Sequence, residues 1–329
     1  MKISWPFTNK TQVFCDKYKN DYLTVINLTK RYKKNMLPAI SELNFRVGHG
    51  EFHAFIGGNG AGKTTTIKSI VGAYAKYEGE IYFSGYINSS LEAKRTMGYI
   101  PEIARFPDNT STYSYLLNMA LLSELKKDEA KKTVEKILID LNMQKLAKKS
   151  PNTFSSGQKK KILLAQALIH NPKILIMDEP AANLDPTARI DFFETLKKLQ
   201  HQGKSIFISS HILNEVDKYA THATILDGGK IVFTSSLDEY RKNHHEEIII
   251  KVDKTKDCLK IFSDKNIKYT FNPNTNVFIL HHTKKINSND LLMELIKANI
   301  KIISFRYGVS SLEEIYNKYV IKGSVHTMK

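Results

Sequence analysis

The sequence predicts an α/β protein in which a main domain with a parallel sheet is followed by a small α+β domain. Three short, nearly continuous apolar runs suit strands that are buried on both faces of such a sheet. They span residues 52–56, 173–177 and 205–209. Helical periodicity lies between them, including one apolar stripe at i, i+3, i+4 and i+7 that consists of Val134, Ile137, Leu138 and Leu141. Alternating strands and helices are typical of α/β folds.

Other patterns extend the main domain and separate it from the C-terminal part. Residues 157–170 predict a helix that Asn171-Pro172 ends, and residues 225–232 predict a hairpin that turns at Asp-Gly-Gly. After about residue 243 the pattern changes to an order that is compatible with a split β-α-β unit. Its predicted strands are residues 246–252, 276–280 and 301–307, and its predicted helices are residues 288–297 and 311–319.

The predicted domains are residues 1–21, 22–240 and 244–329. The first segment is expected to be a disordered or loosely docked extension. The last could regulate the main domain, dimerise or cover a sheet edge, and the sequence leaves these three roles open. No apolar run approaches the roughly 20 residues that span a bilayer, and the N-terminus does not resemble a secretory signal. We therefore expect a cytosolic protein that reaches a membrane only through a partner.

The formal net charge is +16, and residues 126–161 carry eleven lysines against four acidic residues. Such a charge suits nucleic acid or an anionic membrane, but solvated helix faces in a lysine-rich chain would produce the same composition. Charge alone does not decide between these interpretations. The two cysteines, Cys15 and Cys258, are far apart and show no metal-ligand spacing, so neither a disulfide nor a metal site is expected.

A glycine-rich segment at residues 57–65 follows a predicted strand and opens a predicted helix, which is the context of a phosphate-binding loop. Its glycines let successive N–H groups point at phosphate oxygens, beside the positive helix end. Lys63 is expected to reach the β- and γ-phosphates, the Thr64 hydroxyl to ligate Mg²⁺, and Thr65 to meet the α-phosphate. The other residues of the predicted loop are Gly57, Gly58, Asn59, Gly60, Ala61 and Gly62.

Acidic residues end a second buried strand. Asp178 follows the apolar run at 174–177, where a carboxylate can hold Mg²⁺ directly or through water. The next residue, Glu179, can orient or deprotonate a water that attacks the γ-phosphate. Taken alone, the same residues could begin a helix, but a phosphate-binding loop about 115 residues earlier favours a nucleotide site.

Residues 154–158, Phe-Ser-Ser-Gly-Gln, would by themselves predict only a helix N-cap. With the phosphate-binding loop before them and Asp178-Glu179 after them, the sequence resembles the ATP-binding-cassette (ABC) family, whose signature Leu-Ser-Gly-Gly-Gln begins a helix. The resemblance implies that Ser155, Gly157 and Gln158 face the γ-phosphate of ATP held by a partner subunit.

More family motifs occur in the same order. The resemblance implies that Tyr32 stacks on adenine, that Asp185 joins the sites of two subunits and that His211 contacts the γ-phosphate. An exposed loop tyrosine and a structural histidine are the alternatives. Glu102 stands where the family usually has Gln, within reach of Mg²⁺ or the attacking water. Ser156 replaces a glycine of the signature, and we expect function to survive both departures.

The resemblance covers residues 22–240 and implies a mixed sheet core with a helical subdomain at about 103–170. It implies a Mg²⁺-dependent ATPase that closes as a dimer, with a homodimer expected, on the cytoplasmic face of the cell membrane beside a polytopic permease. Residues 98–102 and 309–316 are similar to subunits of drug-, antibiotic- or lipid-exporting systems. No specific nucleic acid is expected as a partner.

Two alternatives belong to other functional classes. The first is a soluble ABC ATPase that acts on ribosomes or nucleic acid. Those that act on ribosomes usually carry two cassettes, whereas this sequence has one. Those of DNA repair insert a long coiled coil, for which the roughly ninety residues between Gly62 and Phe154 are too few. The basic charge remains in favour of this class. An ATPase of metal-cofactor assembly is a third interpretation, which the C-terminal domain weakens.

Overall fold

The structure is a computed structural model that describes residues 14–33, 36–243, 248–273, 275–281, 287–308 and 311–321. The chain divides into two compact units, Met1–Thr234 and Ser235–Lys329. The predicted limits at residues 240 and 244 both lie in the second unit. Most of the predicted N-terminal extension, the first two residues of the strand predicted at 246–252 and residues 309–310 of the tail motif lie outside the described residues.

The first unit alternates strands and helices. Its strands are β1 (Leu23–Lys30), β2 (Ile40–Val47), β3 (Phe52–Gly57), β4 (Glu78–Phe83), β5 (Tyr86–Ile87), β6 (Met97–Ile100), β7 (Ile174–Met177), β8 (Ser205–Ser210), β9 (His222–Asp227) and β10 (Lys230–Ser236). Its helices are α1 (Lys63–Ile70), α2 (Leu91–Thr96), α3 (Thr112–Leu122), α4 (Lys127–Asp140), α5 (Ser156–Leu168), α6 (Pro186–His201) and α7 (Leu213–Val216).

A six-stranded sheet in the order β10-β9-β3-β8-β7-β6 forms the centre of this unit. The strands from β9 to β6 pair in parallel. Every residue of β3, β7 and β8 is buried, which confirms the strands predicted from the three apolar runs. Because the strands run in one direction, the segments that leave β3, β6, β7 and β8 all emerge at the same edge.

A second, antiparallel sheet in the order β2-β1-β4-β5 packs against the central one. Phe45 on β2 stacks against Phe55 on β3 and Phe207 on β8, with ring centroids 5.6 Å and 5.5 Å away. All three rings are at most 5% exposed. This aromatic cluster joins the two sheets behind the strands that lead to the shared edge.

Helices α3, α4 and α5 occupy the region predicted as a helical subdomain. The stripe predicted along α4 is confirmed: Val134, Leu138 and Leu141 are at most 5% exposed, and Ile137 is partly buried. The predicted hairpin is also present: Gly228 and Gly229, at φ +50° and +77°, connect the neighbouring strands β9 and β10.

The second unit has the order β-α-β-β-α-β in its central part, as a split β-α-β unit requires. Its elements are α8 (Leu237–Asn243), β11 (Ile248–Val252), α9 (Thr255–Asp264), β12 (Tyr269–Asn272), β13 (Val277–Leu280), α10 (Ser288–Lys297), β14 (Ile302–Tyr307) and α11 (Leu312–Tyr316). The sheet order is β12-β13-β11-β14, and every pairing is antiparallel.

Sequence analysis did not predict α9, β12 or the change of helix type within the last predicted helix. In α9 the apolar residues Cys258, Leu259, Ile261 and Phe262 lie within about one turn, so the apolar signal is short. The predicted helix at 311–319 ends at Tyr316 and continues as a π-helical turn, Asn317–Ile321. No helix within the described ranges is both long and apolar enough to cross a membrane.

We expect Phe207→Ala to destabilise the first unit by about 3–5 kcal/mol, because it leaves a cavity between the two sheets. Urea unfolding followed by far-ultraviolet circular dichroism measures the change. Ile139→Ala is the control, since Ile139 is 56% exposed on α4. Equal effects of the two substitutions would contradict the importance of the aromatic cluster.

Candidate functional site

A cleft of about 570 Å³ lies at the edge where β3, β6, β7 and β8 end. It brings together most of the residues that the sequence predicted for a nucleotide site. The predicted residues that line it are Tyr32, Gly58, Asn59, Gly60, Gly62, Lys63, Thr64, Thr65, Glu102, Glu179 and His211. Ala39, Ala182 and Asn183 complete the lining.

The loop between β3 and α1 needs glycine at its last position. Gly62 has φ +108°, and a Cβ there would lie 2.5 Å from Ile40 Cγ2 and 3.0 Å from the Ala39 carbonyl. Any other residue would therefore displace β2 or the loop. The loop leads directly into α1, whose first residue is Lys63, so free N–H groups and the positive end of a helix border the cleft.

Glu179 lies between two basic side chains. Lys63 Nζ is 3.2 Å from its Oε1, and His211 Nδ1 is 2.8 Å from its Oε2. Lys63 also donates to the carbonyls of Gly57 and Gly58, at 2.8 Å and 3.2 Å, so the phosphate-binding loop itself fixes its ammonium group. Glu179 has φ +43°, a left-handed conformation that is uncommon for glutamate and recurs at functional sites.

Asp178 lies directly behind the cleft and is 1% exposed. Its Oδ1 accepts hydrogen bonds from Thr64 Oγ1 at 3.2 Å and from Ser209 Oγ at 3.0 Å. Burial raises the pKa of Asp178, and the carboxylates of Glu102 and Glu179 add to this rise. The two hydrogen bonds lower the pKa, but the net shift is upward. A hydroxyl and a carboxylate at the mouth of a phosphate-binding loop are oxygen ligands suited to Mg²⁺.

Ser209, at the end of β8, is a functional residue that sequence analysis did not identify. Besides donating to Asp178, its hydroxyl accepts a hydrogen bond of 2.9 Å from the backbone N–H of Glu179. It thereby fixes both acidic residues and is fully buried. The available signal was a serine directly after the apolar run Ile206–Ile208.

Tyr32 lies at the rim of the cleft and is 57% exposed. Its hydroxyl is 2.9 Å from Thr65 Oγ1 and 3.4 Å from the Tyr74 hydroxyl, and the two tyrosine rings meet edge to face at 5.9 Å. Burial raises the pKa of Tyr32, but bonds to Thr65 and Tyr74 and the charges of Lys68 and Lys30 outweigh it, so the pKa is lowered. Tyr74 was not identified from the sequence.

Glu102 is exposed on the cleft wall, and a lysine of α5 holds its backbone. Lys160 Nζ donates to the carbonyls of Pro101, at 2.9 Å, and Glu102. Burial lowers the pKa of Lys160 to about 8, although the carboxylates of Glu102 and Asp178 partly offset this effect.

The predicted signature residues and Asp185 do not line this cleft. Ser155 caps α5: its hydroxyl accepts from the N–H of Gln158, whose side chain accepts from the N–H of Ser155. A Cβ on Gly157 would lie 2.9 Å from Ala188 Cβ, so glycine is needed there, whereas Ser156 is exposed and has room for its hydroxymethyl group. Asp185 similarly caps α6.

Three other predicted site residues, Gly57, Ala61 and Asp178, also do not line the cleft. Gly57 and Ala61 lie in the loop behind it, and a Cβ on Gly57 would lie 2.6 Å from the carbonyl of Leu226. Asp178 contacts the cleft through Thr64.

Comparison with known proteins identifies the family of this chain. The family model described as ABC transporter matches residues 40–182. A protein of Mycoplasma pneumoniae that is named as an ABC transporter ATP-binding protein is 38% identical over 291 residues, which cover 88% of each chain. This chain belongs to the same family. It is an ATP-binding subunit that energises an ABC transporter, and it hydrolyses ATP in doing so.

Other members of the ABC transporter family show the same likeness. The bacitracin transport ATP-binding protein BcrA of Bacillus licheniformis is 26% identical and aligns with 91% of this chain and 97% of its own. The structure of cbiO1 from Clostridium perfringens, described as part of the transporter complex cbiONQ, has a TM-score of 0.59 and is 28% identical. That match covers 67% of this chain and 90% of cbiO1.

We expect Ser209→Ala to reduce ATP hydrolysis by about tenfold, because the N–H of Glu179 and a buried carboxylate each lose a hydrogen-bond partner. Ser205→Ala is the matched control: Ser205 lies at the other end of β8, is equally buried and bonds to the Gly48 carbonyl. Steady-state phosphate release, compared with urea unfolding, separates activity from stability. Parallel losses of both in the two variants would contradict a site-specific role of Ser209.

Proposed function

We propose that the chain binds Mg²⁺-ATP in the cleft and hydrolyses it within a dimer that drives export across a membrane. The observation that carries the proposal is the position of Glu179, whose carboxylate is held between Lys63 and His211 while its backbone is bound to Ser209. The site therefore holds, close together, a proton acceptor, two side chains that can bind phosphate, and the Thr64–Asp178 pair.

ATP would lie along the phosphate-binding loop with its base at Tyr32. Loop N–H groups and the start of α1 bind the phosphates, and Thr65 meets the α-phosphate. Lys63 reaches the β- and γ-phosphates. Its positive charge, which pairs with Glu179 in the structure, is then shared between Glu179 and the γ-phosphate. Tyr32 offers an exposed aromatic face for adenine, which Tyr74 supports from the side.

The residues present fit Mg²⁺, since a hydroxyl and a carboxylate oxygen lie 3.2 Å apart beside the loop. Thr64 and Asp178 would hold the ion, and Glu102 can reach the same space from the cleft wall. Bound there with the nucleotide, the ion would neutralise charge on the β- and γ-phosphates.

Glu179 performs the proton transfer in this mechanism. Its carboxylate accepts a proton from a water whose oxygen attacks the γ-phosphorus, and the bond from that phosphorus to the bridging β-phosphate oxygen breaks. The products are ADP and inorganic phosphate. Lys63 and His211 stabilise charge on the transferred group and keep the Glu179 side chain oriented.

A second copy of the chain would complete the site. Ser155, Gly157 and Gln158 begin α5 outside the chain's own cleft, and a helix N-terminus of this kind binds anions. In a head-to-tail homodimer they would meet the γ-phosphate bound by the partner, while Asp185 connects the two sites. Because ATP makes these contacts only in the closed dimer, it shifts the equilibrium towards closure.

Membrane-embedded subunits would use this closure for transport. The cassette cbiO1 is described as part of a transporter complex, and BcrA is named for bacitracin transport. By analogy we propose a polytopic permease partner, a position on the cytoplasmic face of the membrane and an export direction. Glu102 and the helical subdomain would transmit motion to the permease.

The substitution Glu179→Gln should leave ATP binding intact, trap an ATP-bound dimer and lower hydrolysis by at least about 100-fold, because an amide cannot accept the proton. Phosphate release measures turnover, and sedimentation velocity with Mg²⁺-ATP measures dimerisation. Glu135→Gln, on the exposed face of α4, is the control. Brisk turnover by Glu179→Gln would remove Glu179 from this role.

A tagged full-length chain should copurify with a polytopic membrane protein at comparable abundance when native membranes are solubilised in detergent. Mass spectrometry of the eluate identifies the partner. Recovery with ribosomal proteins or nucleic acid, and without a polytopic partner, would leave the ATPase chemistry in place but contradict the proposed membrane assembly.

A further inference from the structure

Three consecutive lysines in the first two turns of α5 have different surroundings. Lys159 and Lys161 are partly exposed, and Lys161 pairs with Asp191 at 2.6 Å. Lys160, between them, is only 5% exposed. Its ammonium group points away from solvent and donates to backbone carbonyls of another segment. The sequence offers no reason to distinguish these three residues.

The carbonyls that Lys160 binds belong to the residues immediately after β6. Pro101 and Glu102 accept its hydrogen bonds at 2.9 Å and 2.5 Å. The side chain of Glu102 lines the nucleotide cleft. Lys160 therefore ties α5 to the residue through which this segment reaches a bound nucleotide.

Lys160 also lies close to the signature residues at the start of α5. Ser155 is five residues before Lys160 and caps the same helix through the reciprocal bonds with Gln158. Within a helix, residues five apart move together because the intervening backbone hydrogen bonds are rigid. A displacement of the Glu102 segment would thus be passed to the signature end of α5.

Stability alone does not account for a lysine at this position. Burying an ammonium group costs desolvation free energy. The two carbonyls and the nearby carboxylates of Glu102 and Asp178 return only part of it, since the pKa of Lys160 is still lowered to about 8. An apolar side chain of similar length would fill the same space without that cost. The charged donor is therefore best explained by the hydrogen bonds through which it connects α5 to Pro101 and Glu102.

We propose that Lys160 is a positioning residue that ties the signature end of α5 to Glu102, so that nucleotide in the chain's own cleft sets the position of Ser155 and Gly157 for the partner chain. This inference rests on the proposed dimeric function. Lys160 itself touches neither nucleotide. Its removal leaves Lys63, Thr64 and Asp178 in place, so ATP binding persists while closure must also order a loosened α5.

The experiment compares Lys160→Met with Lys159→Met in the full-length chain. With Glu179→Gln as the parent, sedimentation velocity measures ATP-dependent dimerisation, and a fluorescent ATP analogue measures affinity at protein concentrations where the chain is monomeric. We expect Lys160→Met to weaken dimerisation by about tenfold, as for loss of a hydrogen-bonded charge, with nucleotide affinity within about twofold of the parent. Lys159→Met should match the parent.

Steady-state kinetics without the Glu179 substitution give a second readout. Lys160→Met should lower kcat by about tenfold at an unchanged KM for ATP, and Lys160→Arg, which keeps a cationic donor, should recover most of it. If Lys160→Met does not fold, Lys160→Gln replaces it in every comparison.

Dimerisation and kcat equal to those of Lys159→Met would overturn the inference. So would an equal loss of nucleotide affinity and kcat, since that pattern indicates a general structural role. Failure of the Glu179→Gln parent itself to dimerise with ATP would instead contradict the proposed function, and the inference with it.

Discussion

The common direction of five strands in the central sheet is the constraint on which the site depends. Because β6, β7, β8, β3 and β9 are parallel, the segments that follow them meet at one edge although they are far apart in sequence. Asp178 makes the convergence specific: its carboxylate is bonded to Thr64 after β3 and to Ser209 at the end of β8. A shift of β3, β7 or β8 along its neighbours would separate these groups.

Residues whose role follows from local sequence were predictable. Lys63 and Thr64 belong to a contiguous loop between a strand and a helix, and Asp178 ends an apolar run. Ser209 was not predictable in the same way, because its role comes from β8 lying beside β7, and strand order is not written in any short motif. The same holds for Tyr74, which reaches Tyr32 only through the fold.

The lysine-rich composition also has a structural side that a charge count cannot show. Lys30, Lys63 and Lys160 are buried among the described residues, and each donates to backbone carbonyls. Lys63 binds its own loop, while the other two join segments that are distant in sequence. Part of the +16 charge therefore serves internal connections, while Lys127, Lys132 and Lys136 of α4 are exposed.

The carboxylate of Asp185 caps helix α6 while the residue stays exposed. Oδ1 accepts the N–H of Ala188 at 2.9 Å and so stabilises the first turn of α6, whereas the residue as a whole is exposed. A contact of Asp185 with a second subunit, as proposed, would therefore use a side chain whose orientation is already fixed by helix capping. Asparagine at this position could keep the cap and lose the charge, so the proposed contact between subunits could change while α6 stays capped.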